Sequence, residues 1–309
     1  MKTNRSFPAG IVMCIVLALG CKNHPQQVVS DSPDSGTINI SVDESFEPVI
    51  AEEVKIYEAL HPGTHVIAHY KTEADCFKDL HTDSSTRMII VTRGLTSRES
   101  KYYDDSLAYT PVSDKIAADA MTLVVNINSQ DSLFTLAGLK DRLSGVSPNR
   151  SPIVFDGLNA TSSVRFAIDS ILKGASFDTS IVKAEKNSLA VINYVANNPN
   201  AIGVVGISWI GNPEDTAQLH LLKKVKIALV KCEYCIDTPY VKPTQAGILS
   251  RRYPLVRGLY YIVKENYSGL GSGFAAFLKY ERGQLIFRRA YLAPVMDFSI
   301  RSVKINQKL

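Results

Sequence analysis

Alternation between short apolar runs and amphipathic stretches is the feature that most restricts the fold of this chain. Apolar and polar residues alternate over 37–43, and 46–62 carries apolar residues at helical spacing until Pro62 ends the stretch. The pattern then repeats as strand, helix, strand and helix at 64–70, 73–80, 86–94 and 96–103. This β-α-β-α-β-α order predicts an α/β fold with a parallel sheet and helices on its faces.

The second half of the chain repeats the pattern after a crossover at 108–129. The sequence predicts a short helix, a strand, a helix, a buried strand, one or two further strands and a last helix, at 136–145, 152–157, 186–199, 201–211, 220–231 and within 271–294. We expect two lobes, each a mainly parallel sheet flanked by helices: lobe I at about 37–115 and 240–309, and lobe II at about 116–239. A ligand would bind between them, at the carboxyl ends of the strands.

The N-terminus has the three parts of an export signal. Lys2 and Arg5 give a positive start, residues 10–19 are apolar but too short to span a bilayer comfortably, and Gly20-Cys21 follows. Residues 1–20 resemble a bacterial lipoprotein signal peptide, in which Cys21 becomes the lipidated first residue. An ordinary cleaved signal is the alternative. Both interpretations predict an exported protein in the periplasm or on the cell surface, and the first anchors it to membrane lipid through Cys21.

Composition separates a polar linker from a large folded domain. Residues 21–36 are rich in Ser, Asp, Pro and Gln, which predicts a flexible tether, and 37–309 form the domain. The net charge is +4, and +2 without the two basic residues of the signal segment. With no continuous basic tract, the sequence gives no indication of nucleic-acid binding.

The cysteine spacing favours structural roles over metal binding. Cys232 and Cys235 form a lone C-x-x-C in a predicted turn, which favours a local disulfide in an exported protein. A zinc site would need two more ligands at suitable spacing, and none follow. Cys76 lies at helical spacing with Phe77 and Leu80, which predicts a buried or free thiol.

Several strand-end loops carry groups that suit a small oxyanion. The loops supply hydroxyls, an arginine and helix N-termini, at Ser45, Thr72, Thr92, Arg93, Asn159, Thr161, Ser162 and Ser163, with Arg165 one turn further on. Arginine and backbone N–H groups both bind phosphate-like anions. Each residue also has a purely structural interpretation: Ser45 as a helix cap, Thr92 as a strand-end hydroxyl, and Arg93 and Arg165 as surface arginines.

Longer segments resemble the phosphate-binding proteins of high-affinity ABC phosphate uptake, in the periplasmic-binding-protein-like type II group and its Bacteroidetes-type lipoprotein forms. The resemblance covers about 37–294 and rests on segments such as "ISVDESFEPVIAEEVKIYEALHPG", "RMIIVTRGLTSRE", "VFDGLNATSSVR" and "NPNAIGVVGISWIG". It implies that phosphate is held between two lobes. The implied donors are Ser45 with the Phe46 N–H, Thr72, Thr92, Arg93, Thr161, Ser162 and Ser163.

Two departures from the family pattern affect the predicted site. The usual Ser-Gly-Thr turn is replaced by "NATSS", without the glycine that lets a backbone approach a ligand closely. Some members accept the phosphate proton with an Asp in the third loop, where Arg93 stands here. An acceptor in this chain would therefore be Asp43, Glu44 or Glu73.

The sequence thus predicts a lipid-anchored solute-binding protein that captures inorganic phosphate and delivers it to an ABC permease of the membrane. It predicts no cofactor and no catalytic activity, because no activated nucleophile or H-E-x-x-H-type metal motif is present. The alternative is an exported sensory or adhesion module of the same fold without a transport role.

Overall fold

The computed structural model describes residues 31–236 and 239–296. The predicted signal peptide and Cys21 lie outside these residues. Asp31 to Gly36, the end of the predicted tether, lie within them. Asp31 is buried and accepts two hydrogen bonds of 2.8 Å from the Arg87 guanidinium, so this part of the linker packs on the domain.

The first half of the chain forms alternating strands and helices that follow the predicted order. They are β1 (Ser35–Asp43), α1 (Glu47–Leu60), β2 (Gly63–Lys71), α2 (Glu73–Thr82), β3 (Thr86–Val91), α3 (Ser97–Leu107) and β4 (Val112–Asn126). A 3-10 turn, Glu44–Phe46, joins β1 to α1. Thr72 and Thr96 cap α2 and α3, as their side chains accept backbone N–H groups.

The remaining elements extend this sheet and add a separate three-stranded sheet. They are β5 (Leu133–Phe134), α4 (Leu136–Leu143), β6 (Ile153–Phe155), α5 (Ser162–Phe166), a π-helical turn (Ala167–Leu172), β7 (Val182–Ala184), α6 (Ser188–Asn197), β8 (Ile202–Gly206), a 3-10 turn (Ile207–Trp209), α7 (Thr216–Leu222), β9 (Val225–Ile227), β10 (Leu229–Lys231), β11 (Tyr240–Val241), α8 (Gln245–Leu249), β12 (Val256–Val263), α9 (Leu270–Lys279), α10 (Glu281–Arg289) and β13 (Ala293–Pro294). The strands expected at 220–231 are thus a helix through Leu222 and then two short strands, because Asp215 caps α7 by accepting from two backbone N–H groups.

One long strand, β4, connects two sets of parallel strands. The sheet runs in the order β2-β1-β3-β12-β4-β8-β6-β7. We call β1, β2, β3 and β12 the first sheet half, and β6, β7 and β8 the second sheet half. β1 is parallel to β2 and β3, and β6 is parallel to β7 and β8. β12 and the connecting strand β4 run antiparallel to their neighbours. Along β4, Ala120 is the last residue that pairs with β12 and Met121 the first that pairs with β8.

The core follows the apolar runs of the sequence. The last four residues of β1, and both faces of the middle of β4, are nearly free of solvent contact, as expected for strands covered by helices. Cys76 is buried with Phe77, Leu80 and Tyr103 in a second, smaller cluster. Among the described helices, none is long and apolar enough to cross a membrane.

Candidate functional site

Loops at the carboxyl ends of β1 and β6 meet in a buried cluster of hydroxyl groups. Ser45, after β1, lies with its Oγ 3.4 Å from Ser162 Oγ and 3.5 Å from Asp156 Oδ2, both of which follow β6. Ser163 donates to the other oxygen of Asp156, and Thr161 Oγ1 lies 3.1 Å from Ser163 Oγ. These side chains are at most 8% exposed. The loops thus place four predicted residues from both sheet halves at one point.

Arg257 of β12 brings a positive charge to this cluster. Its Nη1 donates to Ser162 Oγ at 2.8 Å, and its Nε donates to Asp119 Oδ2 of β4 at 2.7 Å. The guanidinium lies 5.0 Å from the ring centroid of Phe46. Burial raises the pKa of Asp119, although the charge and hydrogen bond of Arg257 act against that rise. The pair therefore holds an arginine at the junction of the two sheet halves, with both partners buried.

Asp43 is the last residue of β1 and lies next to Ser45 of the same cluster. Its Oδ1 accepts from the Ser45 backbone N–H at 3.0 Å and so caps the 3-10 turn. Burial raises the pKa of Asp43 to about 6, against the lowering effect of the Arg257 charge, while the charges of Glu73 and Asp156 raise it further. Asp43 is one of the three acids that the sequence offered as a proton acceptor.

Glu73, Thr92 and Arg165 form a second polar link between the sheet halves. Arg165 of α5 donates from Nε to Glu73 Oε2 at 2.6 Å and from Nη2 to Thr92 Oγ1 at 2.6 Å. Thr92 donates to Glu73 through both its backbone N–H and its hydroxyl. Burial alone would raise the pKa of Glu73, but the hydrogen bonds and charge of Arg165 and the bonds from Thr92 lower it.

Thr72 and Asn159 lie at the edges of this region. Thr72 Oγ1 accepts from the Asp75 N–H at 3.2 Å, so it caps α2, and the residue lines a cavity of about 250 Å³ together with Asp43, Asp156 and Thr161. Asn159 is exposed and lines a larger cleft of about 570 Å³ on the other side of Thr161.

Arg93 lies in the larger cleft, but its charge is already paired. Its two terminal nitrogens donate to the two carboxylate oxygens of Glu99 at 2.8 and 2.9 Å. The guanidinium also stacks on Phe77, 3.7 Å from the ring centroid. Arg93 and Arg165 line the same cleft, yet Arg257 is the arginine that the structure brings to the hydroxyl cluster.

The turn that replaces the family's Ser-Gly-Thr keeps a conformation that favours glycine. Ala160 has φ of 70°, in the left-handed region, and its carbonyl accepts from the Ala74 N–H at 3.0 Å across the junction. Thr161 then caps α5, its Oγ1 accepting from the Val164 N–H at 3.4 Å. Ala160 thus adopts a left-handed backbone conformation, and the three hydroxyl residues that follow it are buried.

A further link joins Glu44 to the start of α6. Glu44 accepts from the Ser188 N–H and from Ser188 Oγ, both at 2.9 Å. Burial raises the pKa of Glu44 to about 7, and the bonds from Ser188 oppose this rise. The carboxylate is therefore engaged in a contact between the two parts of the sheet.

The predicted cysteine chemistry lies away from this region. Cys232 and Cys235 are joined by a disulfide, and Cys76 is a buried free thiol. Within residues 31–236 and 239–296, no group of three or more His, Cys, Asp or Glu is arranged to hold a metal ion.

Sequence reasoning missed Arg257, Asp119 and Asp156 as members of the cluster. A signal for Arg257 existed, since it is a single arginine within the apolar run of β12, where a charge must find a partner. Asp119 is likewise a single acid within the buried part of β4. Nothing in the sequence indicated that these two side chains meet.

The chain belongs to the PBP superfamily: the family model described as a PBP superfamily domain matches residues 27–281. This agrees with the predicted two-lobed fold and with the prediction that the chain is a binding protein, not an enzyme. Comparison with curated protein sequences finds no match.

Solved structures share the fold at low sequence identity. A protein described as a phosphate ABC transporter substrate-binding protein with bound phosphate, from Clostridium perfringens, has a TM-score of 0.69 at 19% identity, covering 84% of this chain and 100% of that chain. An ABC-type phosphate transport receptor from Vibrio cholerae has 0.60 at 17%, covering 83% and 99%. The reduced form of the regulatory domain of OxyR2 from Vibrio vulnificus has 0.52 at 11%, covering 80% and 94%. Because the fold serves proteins of different kinds, the ligand must be argued from the site.

Proposed function

We propose that this chain is an extracytoplasmic solute-binding protein that captures inorganic phosphate between its two lobes and delivers it to an ABC permease, held at the membrane by lipid on Cys21. The observation that carries the proposal is the buried cluster of Ser45, Thr161, Ser162 and Ser163 beside Arg257. Hydroxyl donors and one arginine suit a tetrahedral oxyanion, since charge-assisted hydrogen bonds are the stronger ones.

The position of the cluster supports capture by lobe closure. We place the boundary between the lobes in β4, at Ala120 and Met121, where the strand changes partner from β12 to β8. The hydroxyls come from both sides of this boundary, so the ligand would complete a surface that neither lobe forms alone. Hinge closure around a ligand is a common motion of two-lobed proteins.

Titration calorimetry of the full chain with sodium phosphate tests the proposal. We expect one site per chain. Ser162→Ala should raise the Kd for phosphate about 10-fold or more, because a hydrogen bond to a charged group contributes about 1.5–3 kcal/mol. Ser106→Ala, at an exposed position of α3, is the matched control and should leave the Kd unchanged. No heat with wild-type protein, or equal Kd values for both variants, would contradict the assignment.

A sensory or adhesion module of the same fold would bind phosphate equally well and differ only in its partner. Stimulation of ATP hydrolysis by a reconstituted phosphate permease separates the two functions. We expect phosphate-loaded protein to stimulate the permease, and the absence of stimulation would favour the sensory or adhesion role.

A further inference from the structure

A turn closed by the Cys232–Cys235 disulfide presents two large apolar side chains to solvent. Tyr234 lies within this turn and is 63% exposed, and Ile236 follows it and is 95% exposed. Leu249, the last residue of α8, is 62% exposed. It belongs to the same surface, because the Tyr234 hydroxyl donates to the carbonyl of Ser250 at 3.0 Å. Apolar side chains clustered in this way mark a surface that a partner covers.

Positive charge accompanies these apolar side chains. The sequence from 231 to 252 contains four basic residues and two acidic ones. Lys242, Arg251 and Arg252 are exposed, and none of the three forms an ion pair with another described residue. Arg252 lies against the turn, since its Nε donates to Cys235 Sγ at 3.3 Å. The same surface therefore combines apolar and cationic groups.

A cavity beside the turn offers a place for a phosphate group. It has a volume of about 540 Å³, and Lys242 and Arg252 both line it. Its other walls include the apolar residues Leu229 and Val241 and the hydroxyl-bearing Ser250. Lysine and arginine bind phosphate groups through charge-assisted hydrogen bonds. An anionic phospholipid offers such a charge together with apolar chains, which matches both features of this surface.

We propose that the described residues of 231–252, which we call the basic apolar face, bind the surface of an anionic phospholipid membrane. The apolar side chains enter the headgroup layer, and the basic side chains contact lipid phosphates. Tyrosine suits this position because its ring is apolar and its hydroxyl is polar. The inference goes beyond the proposed function and takes from it the lipid on Cys21, which keeps the chain close to a bilayer.

The length of the tether allows this orientation. Asp31 is held by Arg87, whose carbonyl accepts from the Lys264 N–H directly after β12, whereas Arg252 lies just before the opposite end of that strand. The eight residues of β12 span about 26 Å. The ten residues that precede Asp31, from Cys21 onward, reach at most about 35 Å. A lipid on Cys21 can therefore enter the bilayer that the basic apolar face contacts.

Tryptophan fluorescence of the full chain reconstituted with vesicles tests this contact. Trp209 is the one tryptophan of the sequence, and its ring nitrogen has no partner among the described residues, so Trp209→Phe removes the native signal without loss of a hydrogen bond. Tyr234→Trp then places a single reporter on the face. In vesicles of phosphatidylglycerol and phosphatidylethanolamine, we expect its emission to move to shorter wavelength. Brominated lipid should quench it by at least about half, as for an aromatic side chain at the headgroup level.

Tyr102→Trp in the same Trp209→Phe background is the matched control, because Tyr102 is 51% exposed on α3, outside the face. Its emission should stay at the same wavelength, with little quenching by brominated lipid. Replacing both Arg251 and Arg252 by Glu should reduce the quenching of the Tyr234→Trp reporter at least about threefold, since each basic residue near an anionic surface strengthens binding. Vesicles of phosphatidylcholine alone should reduce it in the same way.

Equal quenching at the two reporter positions, or quenching that the two arginine substitutions leave unchanged, would overturn the proposal. A shift in emission that requires a reconstituted permease and occurs without quenching by brominated lipid would also overturn it, and would assign the face to a protein partner. The face shares no residue with the hydroxyl cluster, so phosphate calorimetry of the Tyr234→Trp chain should give the wild-type Kd. Failure of phosphate binding and failure of membrane contact are therefore observed separately.

Discussion

Arg165 and Glu73 join the two halves of the sheet through a side-chain ion pair of 2.6 Å. Arg165 comes from α5 beyond β6, and Glu73 opens α2 beyond β2, so 92 positions separate them in the chain. Thr92 completes the link by donating to Glu73 and accepting from Arg165. Glu73 and Arg165 line a cleft that Thr161 also lines, so this link between the sheet halves lies next to the hydroxyl cluster.

The first prediction concerns this pair and acid pH. The pKa of Glu73 is lowered in the folded state, so its stabilising effect is present above the ordinary value of 4.5 and is lost as pH falls through the folded value. Because Arg165 is 37% exposed, we expect Glu73→Gln to cost only about 1–2 kcal/mol at neutral pH. The difference in Tm from wild type should shrink below about pH 4. A constant difference across thermal melts from neutral to acid pH would contradict this.

The second prediction separates the role of Arg257 in stability, as the partner of Asp119, from its role in phosphate binding. Arg257→Met leaves Asp119 buried without its partner and should lower the free energy of unfolding by about 3–5 kcal/mol. Adding Asp119→Asn should restore most of that stability, since Asn can still accept from the Ile207 N–H. Neither variant should bind phosphate. Urea unfolding and calorimetry together test this, and phosphate binding by the double variant would remove Arg257 from the site.

The third prediction concerns Arg93, which the sequence also offered as a phosphate ligand. Because Glu99 and Phe77 already engage its guanidinium, Arg93→Ala should change the phosphate Kd less than about threefold. It should lower the free energy of unfolding by about 1 kcal/mol through the lost pair and stacking contact. A large loss of phosphate affinity would restore Arg93 as a ligand and require Glu99 to release it.

The fourth prediction concerns Glu53, a buried acid remote from the charge pairs. Glu53 is fully buried on the same face of α1 as Ile50 and Tyr57, and neither carboxylate oxygen has a partner in the described part of the structure. Burial, with a smaller effect of Glu52, raises its pKa well above 4.5. We expect Glu53→Met to raise the free energy of unfolding by about 1–3 kcal/mol.

The pH dependence of the stability gained by Glu53→Met provides a second test of this prediction. A raised pKa means that wild-type stability falls as pH rises above 4.5, so the advantage of Glu53→Met should grow from acid to neutral pH. Glu52→Met, one position earlier and half exposed, should change stability by less than about 0.5 kcal/mol. Equal effects of the two substitutions would show that burial of Glu53 is not the cause.

The local pattern of residues was sufficient to predict most elements of the fold. The apolar periods of β1, α1, β2, α2 and β3 predicted those elements within a few residues, because burying one face requires that spacing. The sequence also located the strand-end loops that carry Ser45 and Thr161 to Ser163. The sequence prediction was wrong at 220–222, where a strand was expected. These residues are the last turn of α7, which begins after the cap at Asp215, and their apolar pattern also suits a strand.

Tertiary structure alone decided which charges meet at the site. Arg93 and Arg257 are both arginines beside apolar strand residues, and only the antiparallel pairing of β12 with β4 places Arg257 opposite Asp119 and next to Ser162. Periodicity records which face a residue shares with its near neighbours in sequence. Contacts between residues some 95 to 138 positions apart depend on strand order and register, and the electrostatics of a buried cluster follow from those contacts.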